Sequence, residues 1–142
     1  MIVLDTNVIS ETMRKAPDPG VVAWIDRQPL RTLYLSAITI AELRFGVATL
    51  PAGKRRDLLY DRLEARVLPL FAGRVLAFDL AAAGAYAELM AAARTAGSAI
   101  GTADGQIAAT ATAAGMAVAT RDTAPFRAAR VSVIDPWTAG AS

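Results

Sequence analysis

Met1-Ile2-Val3-Leu4-Asp5-Thr6-Asn7 opens the chain, and the reading of this stretch decides the fold. Four apolar residues stop at a carboxylate that is followed by two small polar residues. That is the pattern of a short buried strand whose end delivers Asp5 to the rim of a sheet. In open parallel sheets, ligands and chemistry gather at that rim, where strands end and helices begin. Asp is also a good N-cap, so Asp5 equally reads as the cap of a helix from Thr6 to about Met13. Three further acids at corresponding places down the chain, Glu42, Asp104 and Asp122, add weight to the first reading.

Outward from this stretch, strands and helices alternate. Asp18-Pro19 starts a helix with Pro at its first position, and Pro29 ends it; Val22, Ile25 and Trp24 are its expected buried side. Thr32 to Ser36 is the second strand, and a helix spans Ile38 to Leu50. In that helix Ile38, Glu42 and Phe45 share one face, so a carboxylate stands on a stripe expected to be apolar. An unpaired buried charge is costly, which makes Glu42 a candidate functional residue. A charged helix follows from Lys54 to about Leu68, and its opening Lys54-Arg55-Arg56 is either a solvated face or a seat for phosphate or an acidic partner.

Arg74 to Asp79 reads as the third strand, with Asp79 capping an Ala-rich helix to about Thr95. The next helix starts at Thr102 and places Asp104, Ile107, Ala108 and Ala111 in the i, i+3, i+4, i+7 pattern, so Asp104 stands in the first turn of the inward face. Gly115 ends it. Met116 to Thr120 is a fourth strand with Arg121-Asp122 at its end, a short turn carries Pro125-Phe126, and Val131 to Ile134 is a fifth strand. This alternation implies βαβ units, hence an α/β fold with a parallel sheet covered by helices on both faces.

The length of 142 residues suits one domain, residues 1–142, with one proper core. A hydrophobic content of 54% excludes a disordered chain and leaves apolar surface for a partner. The chain has neither cysteine nor histidine. Disulfides, thiolate nucleophiles, Ser-His-Asp triads, histidine-based ribonuclease chemistry and ordinary zinc sites are therefore excluded. Catalysis, if present, falls to carboxylates, which favour hard cations such as Mg²⁺ or Mn²⁺. Net charge is +2, and Lys15 and Lys54 are the only lysines. Arginine's planar fork suits phosphate, so this balance is compatible with a nucleic-acid ligand, as it is with a bias in genome composition. The N-terminus has no basic segment leading into an apolar one. The Leu80 to Ala93 run is too short and too weakly apolar to span a bilayer, so a cytoplasmic protein without membrane contact is expected.

Asp5 ends one strand, Asp122 follows another, Asp104 opens a helix and Glu42 lies near a helix start. All four are expected to meet at the carboxyl edge of one sheet. Anions so crowded repel one another, an arrangement that makes sense around a multivalent cation. Mg²⁺ takes one or two carboxylates plus waters, leaves room for a phosphate and acidifies water, which phosphodiester hydrolysis uses most directly. A phosphotransfer protein would also use an Asp after the first strand. Its phosphatase form needs a second acid where Asn7 stands, however, and its receiver form needs a late lysine, although none follows Lys54. A non-catalytic binding partner with the same fold would tend to lose these acids.

Four blocks carry a more specific pattern: Ile2-Val-Leu-Asp5-Thr-Asn7, Leu35-Ser-Ala-Ile-Thr-Ile-Ala-Glu42-Leu-Arg-Phe-Gly46, Asp104-Gly-Gln-Ile-Ala-Ala109 and Ala119-Thr-Arg-Asp122. In order and spacing they resemble the signature blocks of PIN-domain nucleases, in the branch of the VapC and FitB-like toxins of bacterial toxin–antitoxin pairs. The resemblance spans essentially the whole chain. It implies a three-layer α/β/α sandwich around a mostly parallel sheet of about five strands, and Mg²⁺- or Mn²⁺-dependent endoribonuclease activity on RNA. It also implies homodimerisation and neutralisation by a small, DNA-binding antitoxin. Asp5, Glu42 and Asp104 match the family's site acids, with Asp5 and Asp104 as metal ligands. Thr120 matches the hydroxyl residue beside the first Asp, and Asn7 and Ser36 match supporting positions. The last block departs from the pattern. Many members read Thr-Arg-Asn-x-x-Asp-Phe, whereas this chain has Thr120-Arg-Asp122-Thr-Ala-Pro125-Phe126. Asp122 either takes over the work of the acid missing at Pro125 or only caps the short turn before Phe126.

Overall fold

The computed structural model describes residues 1–139. Its strands are β1 (Ile2–Leu4), β2 (Leu33–Ser36), β3 (Val75–Leu76), β4 (Ala117–Ala119) and β5 (Val133–Ile134). They form a sheet in the order β3-β2-β1-β4-β5, with every neighbouring pair parallel. The helices are α1 (Thr6–Thr12), α2 (Pro19–Arg27), α3 (Ala37–Ala48), α4 (Lys54–Asp61), α5 (Leu80–Thr95), α6 (Thr102–Ala114) and α7 (Thr123–Ala128).

Side chains alternate across a strand, and both faces of this sheet are apolar. Leu4, Leu33, Leu35 and Ala119 pack on one face with residues of α1, α2 and α3, including Val8, Ile9, Val21, Trp24, Leu43 and Val47. Val3 and Val118 pack on the other with Ile107, Ala108 and Ala111 of α6 and Phe126 of α7. The result is the expected α/β/α sandwich. Strand order reverses beside β1, which sits between β2 and β4, and in such sheets the crevice at the switch point is the usual place for chemistry. Asp5 and Thr120 leave the sheet there, at the ends of β1 and β4, with the Asp5 N–H donating to the Ala119 carbonyl at 2.9 Å.

Several local expectations hold, and several need correction. Asp18 caps α2 with Pro19 behind it, and Asp79 caps α5 through the Ala82 N–H at 2.9 Å. Gly115 ends α6 at φ 67°, a left-handed conformation that suits glycine. The buried side of α2 is Val21 and Trp24, with Ile25 only partly covered, so the helix is rotated by about one residue from the expected register. The third strand shrinks to Val75–Leu76, and the fifth to Val133–Ile134, each at a sheet edge with one partner strand. The charged helix is α only as far as Asp61. A π-helical turn, Arg62–Val67, and a 3-10 turn, Leu68–Phe71, follow, where Pro69 lacks the N–H that a regular ladder needs. The turn expected around Pro125-Phe126 is instead the helix α7. Of the small-residue tail, the last three residues lie outside the described residues. Among the described residues, no helix is long and apolar enough to cross a membrane.

Candidate active site at the carboxyl edge of the sheet

Asp5 is 4% exposed and is fixed from three sides. Its Oδ1 accepts from the Thr6 N–H at 2.8 Å, so it does cap α1. Its Oδ2 accepts from the Thr120 hydroxyl at 2.8 Å and from Asn7 Nδ2 at 3.4 Å. The two sequence readings of Asp5, cap and site acid, are thus compatible, because a carboxylate has an oxygen for each.

Thr120 is fully buried and uses its whole hydrogen-bonding capacity. It donates to Asp5 and accepts from Asn7 Nδ2 at 3.2 Å and from the Asp122 N–H at 3.0 Å. Asn7 in turn accepts from the Arg121 N–H at 3.3 Å through Oδ1. These bonds tie the end of β4 to the start of α1 across the crevice. Ser36, also fully buried, lies one step back, where its Oγ caps α3 by accepting from the Thr39 N–H at 3.0 Å.

Glu42 reaches the same place from α3. It is exposed, so the expectation of a carboxylate on the buried stripe is corrected: that stripe is Thr39, Leu43 and Val47, and Phe45 is 70% exposed. Glu42 flanks the stripe and faces the cleft, where its Oε1 accepts from the Thr6 hydroxyl at 2.6 Å. The Thr6 hydroxyl also lies 3.2 Å from that of Thr39. Asp104 is half-buried in the first turn of α6, as its spacing predicts. The next residue explains how α6 comes in so close to α5, since a Cβ on Gly105 would fall 2.7 Å from Met90 Sδ and 3.2 Å from Tyr86 Cε2.

Asp5, Glu42, Asp104 and Asp122 line one cavity of about 420 Å³, together with Asn7, Glu11, Arg14, Arg121 and Trp137. Asp122 precedes α7, but its side chain makes no capping hydrogen bond, so the carboxylate is left to the cavity. Among the described residues, none of these four acids has an ion-pair partner. Burial, reinforced by the charges of Asp104 and Glu42, pushes the Asp5 carboxyl up to about 6 despite the hydrogen bonds from Thr120 and the Thr6 backbone. Asp104 is likewise raised, by burial first and then by Asp122 and Glu42. The raised values express burial first, with the repulsion among the clustered acids adding to it.

That uncompensated, all-oxygen donor set fits a hard divalent cation. Among the described residues, no three acidic side chains close into a ready-made chelate. Mg²⁺ suits such a site, because it binds through one or two carboxylates and keeps several of its waters.

Sequence reasoning missed Thr6, whose only signal is its place directly after Asp5. It also missed Glu11, which is buried and pairs with Arg14 at 3.2 Å while accepting from the Asp18 N–H at 2.9 Å. Arg121 and Trp137, which stack beside the acids, carry no signal because the chain between them is long.

Comparison with known proteins agrees with this fold. Residues 2–131 match the PIN domain. The chain is 64% identical over 137 residues to the VapC ribonuclease Y4jK of Sinorhizobium fredii, covering 96% of this chain and 98% of that protein. It is 56% identical over 137 residues to the toxin FitB of Neisseria gonorrhoeae, covering 96% of this chain and 99% of that one. The fold superposes on the crystal structure of FitAcB from Neisseria gonorrhoeae with a TM-score of 0.92 and 55% identity, covering 96% of this chain and 99% of that chain. With acids at the switch point of a parallel sheet, and with matches that run nearly from end to end, the chain belongs to the PIN-domain family.

Proposed function

We propose that this chain is the toxin of a toxin–antitoxin pair and acts as a metal-dependent endoribonuclease in the cytoplasm. The observation that carries the reading is Asp5, buried and without a cation partner at the switch point, sharing one cavity with Glu42, Asp104 and Asp122. The names ribonuclease and toxin carried by its relatives support it.

Asp5 and Asp104 would hold Mg²⁺ or Mn²⁺. When bound, the ion supplies a hard positive charge that polarises a phosphate and makes water more acidic. The chain's own residues do the rest. Thr120, Asn7 and the Thr6 N–H fix the Asp5 carboxylate, so little reorganisation is needed when charge develops in the cleft. Thr6 holds one oxygen of Glu42 and leaves the other to accept a proton from the attacking water. Asp122 adds a fourth carboxylate from the β4 side, in the role of the acid missing at Pro125.

Partner binding is read from the surface. A groove of about 890 Å³, with Met13, Leu43, Val47, Leu50, Leu58 and Leu59 in its walls, shares Thr6, Arg14 and Glu42 with the acid cavity. An apolar segment of a small, DNA-binding antitoxin seated there would bring an Arg or Lys to the acids. Exposed Phe45 and Leu80, at 70% and 89%, support a homodimer, for which light scattering at micromolar concentration should give twice the chain mass.

The test compares cleavage of a labelled RNA with hydrolysis of a generic phosphate monoester, each with Mg²⁺ and with EDTA. Metal-dependent RNA cleavage is expected; monoester hydrolysis without RNA cleavage would favour a phosphatase, and neither activity a binding protein.

A further inference from the structure

Arg121 stands at the mouth of the acid-lined cavity, yet its guanidinium makes no ion pair with the acids among the described residues. It lies instead over the ring of Trp137, with Cζ 5.2 Å from the ring centroid. A guanidinium beside several carboxylates is drawn toward them, so something must hold it away. The backbone does part of this, since the Arg121 N–H donates to Asn7 Oδ1 and roots the side chain at the rim. The indole does the rest through the attraction of its ring face for a cation. Trp137 is itself anchored. It packs against the core cluster that includes Leu4 and Val8, and its backbone N–H donates to Asp135 Oδ1 at 2.9 Å. The other arginine lining the cavity, Arg14, is taken up by Glu11. Among the described residues, Arg121 is therefore the arginine of this cavity left available to an anionic ligand.

We infer that Arg121 contacts the RNA substrate, receiving a phosphate next to the scissile one, and that Trp137 is a positioning residue that keeps the guanidinium out of the acid cluster. The inference rests on the ribonuclease reading above and deepens it. Arginine's planar fork presents paired donors to phosphate oxygens. Collapsed onto Asp5 or Asp122, the same group would neutralise the acids and occupy the place of a metal ion. Trp137 lies beyond residues 2–131, the stretch that matches the PIN domain.

The test is steady-state cleavage of a fluorogenic RNA oligonucleotide in Mg²⁺ at several salt concentrations. Arg121→Ala should raise KM about 10-fold, the size of one lost charge-assisted hydrogen bond, with the loss falling on KM rather than on kcat. It should also flatten the dependence of log kcat/KM on log salt by about 0.7, the value of one phosphate contact on a single strand. Trp137→Ala should raise KM in the same sense, and Trp137→Phe should restore most of the loss because a phenyl ring still attracts the cation. The double variant should be no worse than Arg121→Ala alone. Arg121 is exposed and Trp137→Phe is conservative, so these two variants keep the test informative even if Trp137→Ala folds poorly. Unchanged KM and salt slope in Arg121→Ala, with the wild type cleaving RNA, would overturn the inference alone. An additive double variant would overturn the positioning role of Trp137. A wild type that does not cleave RNA would remove the ribonuclease reading and the inference with it.

Discussion

The hydroxyl of Thr6 donates to Glu42 Oε1 at 2.6 Å, so the first residue of α1 holds an acid carried by α3 across the crevice. Thr6→Val keeps the shape of the side chain and removes that bond. RNA cleavage should fall roughly 10- to 100-fold, the usual size for loss of a group that orients a site carboxylate, and Thr6→Ser should recover most of it. Kinetics on the two variants check this, with thermal melts to confirm that the fold is intact.

Thr120 bears on both stability and activity. Thr120→Val would leave the buried Asp5 carboxylate without its hydroxyl donor, the Asp122 N–H without its acceptor and Asn7 Nδ2 with Asp5 Oδ2 alone. Each buried polar group so orphaned costs about 1–3 kcal/mol, less where water can reach it. The midpoint of denaturant unfolding should drop, and cleavage should drop with it, whereas Thr120→Ser should stay close to wild type in both.

The raised carboxyls give the metal-free protein a pH signature. Asp5 has a folded pKa of about 6 against an ordinary 3.8, so the fold binds its proton more readily than the unfolded chain does. Its contribution to stability is present in full below about pH 4 and is lost as pH rises through about 6, and Asp104 acts in the same direction. The loss is on the order of 2–3 kcal/mol for Asp5. Denaturant unfolding in EDTA should therefore show this carboxyl pair opposing stability between pH 4 and pH 7, and Asp5→Asn should flatten that part of the profile. Mg²⁺ should raise Tm more at pH 7.5 than at pH 5, because it binds the ionised acids. A profile in EDTA that Asp5→Asn does not alter would contradict the assigned charge state.

Asp122 decides whether the site has three acids or four. Acting through water on the metal, it should lose roughly 10- to 100-fold in rate or metal affinity as Asp122→Asn, less than Asp5→Asn or Asp104→Asn. RNA cleavage across a Mn²⁺ titration measures this. Coincident curves for wild type and variant would remove Asp122 from the machinery.

The parts of the fold written in local chemistry were legible in the sequence. Apolar runs ending in Asp5, Ser36 and Thr120 mark strands of a parallel sheet, and Asp18-Pro19, Asp79 and Gly115 mark helix ends, because caps and fixed dihedrals act within a few residues. Helical spacing put Asp104 on the inward face correctly. It misplaced Glu42, since the face a helix buries is set by what it packs on, and the same uncertainty exchanged Val22 for Val21 in α2. The helix α7 was hidden by its shortness and by Pro125. The contacts of Thr6 with Glu42 and of Arg121 with Trp137 join residues far apart in the chain, and no local pattern carries them.

The most direct test of the central claim is cleavage of a labelled RNA by the purified wild type and by Asp104→Asn, each assayed in Mg²⁺ and in EDTA. Carboxylates acting with a divalent ion predict cleavage by the wild type in Mg²⁺ alone, and a fall of at least two or three orders of magnitude in Asp104→Asn with its fold preserved. Cleavage by the wild type that persists in EDTA, or full activity in Asp104→Asn, would contradict the account.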